Sequence, residues 1–132
     1  MIGIDANVLL RLVLKDDEVQ SGQAVKLFER LSSESPGFIN TTVLMEFIWT
    51  ARRHAKMTRT ELKMILSGLL DSDNIVLQDE DVIELVLDEM DRSSEEFTDI
   101  FIAFKNRTTG CSQTMTFDRG AATKVPGMEL LT

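Results

Sequence analysis

The chain is poor in the residues that build most metal and redox sites: it has one cysteine, Cys111, and one histidine, His54. A lone thiol excludes an internal disulfide, and without a Cys or His cluster a conventional structural zinc site is excluded too. Cys111 opens an apolar stretch and is expected to fill core. No apolar run approaches the ~20 residues of a membrane-spanning helix. The start Met1-Ile2-Gly3-Ile4-Asp5 shows neither the basic leader nor the apolar region of a signal peptide. A cytoplasmic location with no membrane partner is the resulting expectation. Positive charge is also scarce, with 14 Lys and Arg against 22 Asp and Glu and a net charge of −8. That balance disfavours a protein that holds nucleic acid by simple charge neutralisation. Much of the excess lies between Asp71 and Glu96, where only Arg92 opposes the acids, and it reads as a solvated helix face. A docking surface for a basic partner is the alternative reading of the same run.

What the chain does have is the length and apolar content of one domain. Its 132 residues, 43% hydrophobic and 27% charged, suit a single globular unit over 1–132. Met1 to Asp5 predicts a short buried strand, Asn7 to Leu14 a brief helix, and Val19 to Ser33 a longer helix with Ala24, Phe28 and Leu31 inward. Phe38 to Asn40 follows as a strand, then a Thr41- or Thr42-capped helix with Val43, Leu44, Phe47, Ile48 and Ala51 on one face. That helix ends in the basic group Arg52, Arg53, His54 and Lys56. Thr58 and Glu61 have the spacing of a capping box for a helix burying Leu62, Ile65, Leu66 and Leu69. Asn74 to Leu77 predicts a strand and Asp79 onward a helix burying Val82, Leu85, Val86 and Met90. A helix from Ser93 or Ser94 turns Phe97, Ile100, Phe101 and Phe104 inward, and Thr114 to Phe117 and Met128 to Leu131 complete the strands. The alternation implies an α/β fold, a three-layer α/β/α sandwich with a mostly parallel sheet of four to five strands.

Four carboxylates interrupt apolar stretches: Asp5, Glu46, Asp99 and Asp118. Acids in such places would be costly to bury without a counter-charge. In open parallel sheets the ligand crevice lies beyond the carboxyl ends of the strands, where the following helices begin. Asp5 and Asp118 end predicted strands, and Glu46 and Asp99 fall in early helical turns, so the fold assignment sends all four to one rim. Gathered there they would raise each other's pKa, a conflict that a hard, oxygen-seeking ion such as Mg²⁺ or Mn²⁺ resolves. A carboxylate site of this kind suits phosphodiester hydrolysis. Asn7 and Thr116 are candidate supporting groups, with Asn106 a weaker one, and a cap or turn bond is the plainer role for each. Arg11, Arg52, Arg53 and Arg119 are candidate phosphate contacts, as is Lys56. His54 reads as a helix-terminal cation rather than a general base. Trp49 reads as core or subunit interface, with base stacking as the sharper alternative.

At these positions the chain resembles the PIN-domain family, and within it the VapC-type ribonuclease toxins. The resemblance rests on Ile4-Asp5-Ala6-Asn7-Val8-Leu9, the isolated Glu46, Asp99 after an acidic stretch, and Thr116-Phe117-Asp118, in order across the chain. It implies a metal-dependent endoribonuclease in which Asp5, Glu46, Asp99 and Asp118 hold Mg²⁺ or Mn²⁺ and cut RNA. It also implies a homodimer and a small antitoxin partner of a toxin–antitoxin pair. Ala6 stands where the family often has Thr, and Arg119-Gly120-Ala121-Ala122 lacks a frequent aromatic. A non-catalytic PIN-like module binding RNA or protein is the alternative. A phosphatase with an aspartyl nucleophile is disfavoured because Asn7 stands where its second Asp would be.

Overall fold

The structure, a computed structural model, describes all 132 residues, and its backbone contacts group into two compact units, Met1–Glu80 and Asp81–Thr132. The first unit runs β1 (Ile2–Gly3), α1 (Ala6–Leu14), α2 (Glu18–Arg30), β2 (Gly37–Ile39), α3 (Thr41–Arg53), α4 (Arg59–Asp71) and β3 (Ile75–Leu77). Its strands pair in parallel in the order β1-β2-β3, with Gly3 opposite Phe38 and Phe38 opposite Val76. β2 is central. A Cβ on its Gly37 would stand 2.9 Å from Leu31 Cδ1 and 3.2 Å from both Ile4 Cγ1 and Ile75 Cδ1. A larger residue there would push these side chains aside, so glycine suits the close approach of the strand to its neighbours. Leu9, Leu44, Phe47, Leu62 and Leu66 are fully buried around it.

The second unit holds α5 (Glu80–Met90), α6 (Phe97–Thr108), β4 (Thr114–Thr116), α7 (Arg119–Lys124) and β5 (Met128–Leu130). β4 and β5 pair in parallel, Met115 opposite Glu129, with α7 as the crossover between them. Phe97, Ile100, Phe101 and Phe104 of α6 are buried as the periodicity requires, with Phe97 and Phe101 stacked at 5.8 Å between centroids. Arg107 lies over the Phe104 ring at 4.9 Å. The chain is thus a helix-rich α/β protein whose five strands form a parallel ladder of three and a parallel ladder of two.

Several sequence expectations need correction. β1 is exposed rather than buried, because it is an edge strand and only Ile4 after it turns inward. Leu85 is 55% exposed, since the buried stripe of α5 runs through Val82, Ile83, Val86, Leu87 and Met90 and leaves position 85 on the outer face. Trp49, also 55% exposed, is not core. Cys111 is exposed, standing in the turn after α6 with its sulfur 3.8 Å from Thr109 Oγ1. Helix α2 stops at Arg30, three residues before the expected end. The N-cap of α3 is Asn40, whose side chain accepts the Val43 N–H at 2.8 Å, not a threonine. That of α6 is Glu96, not a serine.

Candidate functional site: carboxylates at strand and helix ends

Each of the four acids is placed by the end of an element. Asp5 is the N-cap of α1, in extended backbone, and its side chain makes no capping bond. Such a cap usually satisfies an orphan N–H of the first turn. Here the carboxylate is left to solvent, and Asp5 is exposed. Glu46 lies in the second turn of α3, six residues after the Asn40 cap, and is exposed as well. In the second unit Asp99 is the third residue of α6 and is partly buried. Asp118 follows β4 as the N-cap of α7, with Oδ1 accepting the Ala121 N–H at 3.0 Å. The expectation that the acids are submerged in apolar surroundings is therefore corrected for three of them. The strand and helix periods set which side of an element a residue takes but not how deeply it sits.

Asp118 lies near enough to Asp99 for its charge to be felt there. Burial pushes the Asp99 carboxyl above its ordinary value, and the negative charges of Asp118, Glu95 and Glu96 push it further the same way. A place in the first turn of a helix by itself favours an anion, and burial and the neighbouring acids act against that preference at Asp99. Glu95 is itself well covered and meets Lys124 at 3.9 Å. Nowhere in the chain do three or more His, Cys, Asp or Glu side chains form a group that could hold a metal ion. What the second unit supplies is a repelling carboxylate pair. A hard divalent ion commonly needs only one or two protein carboxylates, taking its other oxygens from water and phosphate. The donor set of Asp99 and Asp118 fits that requirement, because a cation would reverse the electrostatic stress on Asp99.

The supporting residues have defined tasks. Thr116 Oγ1 accepts the Asp118 N–H at 3.0 Å, fixing the turn that aims the carboxylate. Asn106 Nδ2 donates to Thr114 Oγ1 at 3.0 Å and ties α6 to β4, the two elements that carry Asp99 and lead to Asp118. Asn7 is exposed in the first turn of α1, two residues after Asp5, and lines a cleft of about 290 Å³ with Val8, Arg11, Gln20 and Gln23. Arg11 is engaged there, donating to Gln20 Oε1 at 2.7 Å and pairing with Asp16 at 3.2 Å, so its charge is partly neutralised. Arg52 donates to the Met57 carbonyl at 2.6 Å, tying the end of α3 to the turn before α4. Arg53 and Arg119 are exposed. His54 caps the C-terminal end of α3, as expected.

Helix α7 and the acids Glu95 and Glu96 take part in ways that the sequence pattern does not assign. Helix α7 was not anticipated, although Asp118 before an Ala-containing segment has the composition of a capped helix start. Glu95 and Glu96 were read as part of a solvated acidic run, yet both act on Asp99. Their places four and three residues before Asp99 are the available signal, since residues so spaced neighbour one another along a helix.

No curated protein matches the chain significantly. The sequence profile of the PIN domain, by contrast, matches residues 2–126, nearly the whole chain and parts of both compact units. With the acids in the order noted above, the chain belongs to the PIN-domain family, a superfamily of nucleases.

Proposed function

We propose that this protein is a Mg²⁺- or Mn²⁺-dependent endoribonuclease, the toxin of a type II toxin–antitoxin pair, with Asp5, Glu46, Asp99 and Asp118 as its metal-holding acids. The observation that carries the reading is Asp99, a partly buried acid in the first turn of α6 whose charge is opposed by burial and by Asp118, Glu95 and Glu96. When bound, a divalent ion supplies an activated water and stabilises the oxygen that leaves the phosphodiester.

The chain's own residues do the positioning. Thr116 holds the backbone N–H of Asp118, and the N-cap bond from Ala121 to Oδ1 fixes the carboxylate at the start of α7. The bond between Asn106 and Thr114 ties α6, which carries Asp99, to β4, which leads to Asp118. Asp5 is presented by an extended backbone with its carboxylate unused by the helix it caps. Exposed Arg53 and Arg119 are suited to holding RNA phosphates, whereas Arg11 and Arg52 are drawn into internal bonds. As a toxin the protein forms a homodimer and binds a small cognate antitoxin, whose gene should lie just upstream and whose product should bring cationic side chains to these acids.

Incubating purified protein with RNA and Mg²⁺ or Mn²⁺ tests the reading. Cleavage should vanish with a chelator, return on adding metal, and fall by at least roughly 100-fold in Asp5→Asn and in Asp99→Asn, more than the loss of an outer-shell partner costs. Circular dichroism should show both variants folded. Full cleavage by both variants would remove these acids from the chemistry. Tight RNA or antitoxin binding with no metal-dependent turnover would favour a non-catalytic module instead.

A further inference from the structure

Helix α3 buries Leu44, Phe47, Ile48 and Ala51 and turns the opposite stripe to solvent. That stripe is Thr42, Glu46, Trp49 and Arg53, each exposed and spaced four, three and four residues apart, so the four side chains share one face. By helix rise Trp49 stands about one turn beyond Glu46, and Arg53 roughly 10 Å beyond it. The Trp49 indole leaves 55% of its surface in water, and the His54 ring meets it edge-on at 4.9 Å and 64° between planes. The contact limits the freedom of the indole before anything binds. Five of the chain's 14 Lys and Arg fall between Arg52 and Lys63, against one acid, Glu61. In a chain of net charge −8 this is a local reversal of sign.

We infer that the exposed face of α3 is a single-stranded RNA-binding track, in which Trp49 stacks on a nucleobase and Arg53 meets the phosphate backbone. The inference rests on the ribonuclease reading, and it specifies how substrate is engaged beside Glu46. An aromatic face next to cations is the pairing that single strands require, since every base has a π-face and every linkage a charge. Charge complementarity also selects the occupant. Five cations against the single acid Glu61 between Arg52 and Lys63 suit a polyanion. A second copy related by a two-fold axis at Trp49 would pair Arg53 with Glu46 of the other chain, and the sedimentation arm of the test separates that occupant.

Trp49 is the only tryptophan and the chain has no tyrosine, so tryptophan emission reports this position alone. Titrating a short oligouridylate into the chelated protein should quench that emission, and raising salt should weaken the effect. Anisotropy of a labelled oligouridylate should show Trp49→Ala weakening Kd by roughly 5- to 100-fold. Trp49→Phe should retain most of the affinity, and Arg53→Ala should lower both affinity and the salt slope. Binding without quenching, or unchanged affinity in Trp49→Ala, would overturn the inference. So would a Trp49→Ala protein that loses a dimer in sedimentation while binding RNA as before. Because the titration is done without metal, quenching with no later Mn²⁺-dependent cleavage sinks only the ribonuclease reading. Cleavage with no involvement of Trp49 sinks only the binding track.

Discussion

Asp5 and Asp118 occupy the same local position, the N-cap of a helix that follows a parallel strand, and are used differently. Asp118 spends one oxygen on the helix it opens, whereas Asp5 spends none. The helix-borne acids differ too. Glu46 stands on an exposed face, while Asp99 is partly buried with Asp118, Glu95 and Glu96 acting against its charge. In the first unit the candidate acids are placed by the backbone and face water. In the second, Asp118 is fixed by its capping bond, and Asp99 stands partly buried with like charges acting on it. Stress of that kind marks sites that await a counter-ion or a proton, so the second unit carries the stronger physical signature even though the acids look alike in sequence.

The comparison would break most visibly in activity. Glu46→Gln and Asp118→Asn should each lower RNA cleavage by at least roughly 100-fold, exceeding the usual penalty for an outer-shell partner. Both substitutions are nearly isosteric, and Asn caps helices as well as Asp does, so the unfolding midpoints of both should stay close to wild type. If Glu46→Gln cleaves normally while Asp118→Asn does not, the exposed Glu46 is only a solvated surface charge. The difference between the units would then be one between function and its absence.

Stability should divide the two N-caps. Asp118→Ala removes the acceptor for the Ala121 N–H and should cost about 0.5–2 kcal/mol, a fall of roughly 3–5 °C in Tm per kcal/mol for a chain of this size. Asp5→Ala removes no capping bond and should change stability by less than about 0.5 kcal/mol. Thermal melts of the two variants beside Asp118→Asn isolate the cap from the charge. An equal loss in both alanine variants would mean that the Asp5 carboxylate has a structural duty after all.

Much of this arrangement was legible from the chain because it depends on local chemistry. The Thr58 and Glu61 capping box forms as its spacing requires, with the Glu61 N–H donating to Thr58 Oγ1 at 3.1 Å, and the apolar stripe of α6 packs as its period demands. The illegible parts depend on depth or on competition between neighbours. Helix α7 spans six residues and buries only Ala121, too little for a period to register. Asn40 and Thr41 are both fit to cap α3; Asn40 takes the position while Thr41 Oγ1 bonds Asp79 at 2.7 Å, a partner 38 residues away. The four acids were recognisable as unusual from their apolar flanks, but those flanks are equally compatible with an exposed residue between buried ones. That is how Glu46 sits between Leu44 and Phe47.

The smallest effect, and the most direct probe of the stress itself, is the pH dependence of the metal-free protein. Asp99 takes up a proton in the folded state at a higher pH than the ordinary carboxyl near 3.8 does in the unfolded chain. Between those two values the folded state holds more protons, so this group's contribution makes stability rise as pH falls. Above the interval both states are ionised and the full repulsion is present; below it both are neutral and the penalty is gone. Other carboxyls titrate over the same range, and subtracting Asp99→Asn cancels them. The variant should therefore be more stable than wild type near neutral pH in denaturant unfolding with chelator present, and its advantage should shrink toward zero as the pH is lowered through the interval. An advantage that is absent at neutral pH, or that grows on acidification, would show that the Asp99 charge is not opposed, and the contrast between the two units would lose its physical basis.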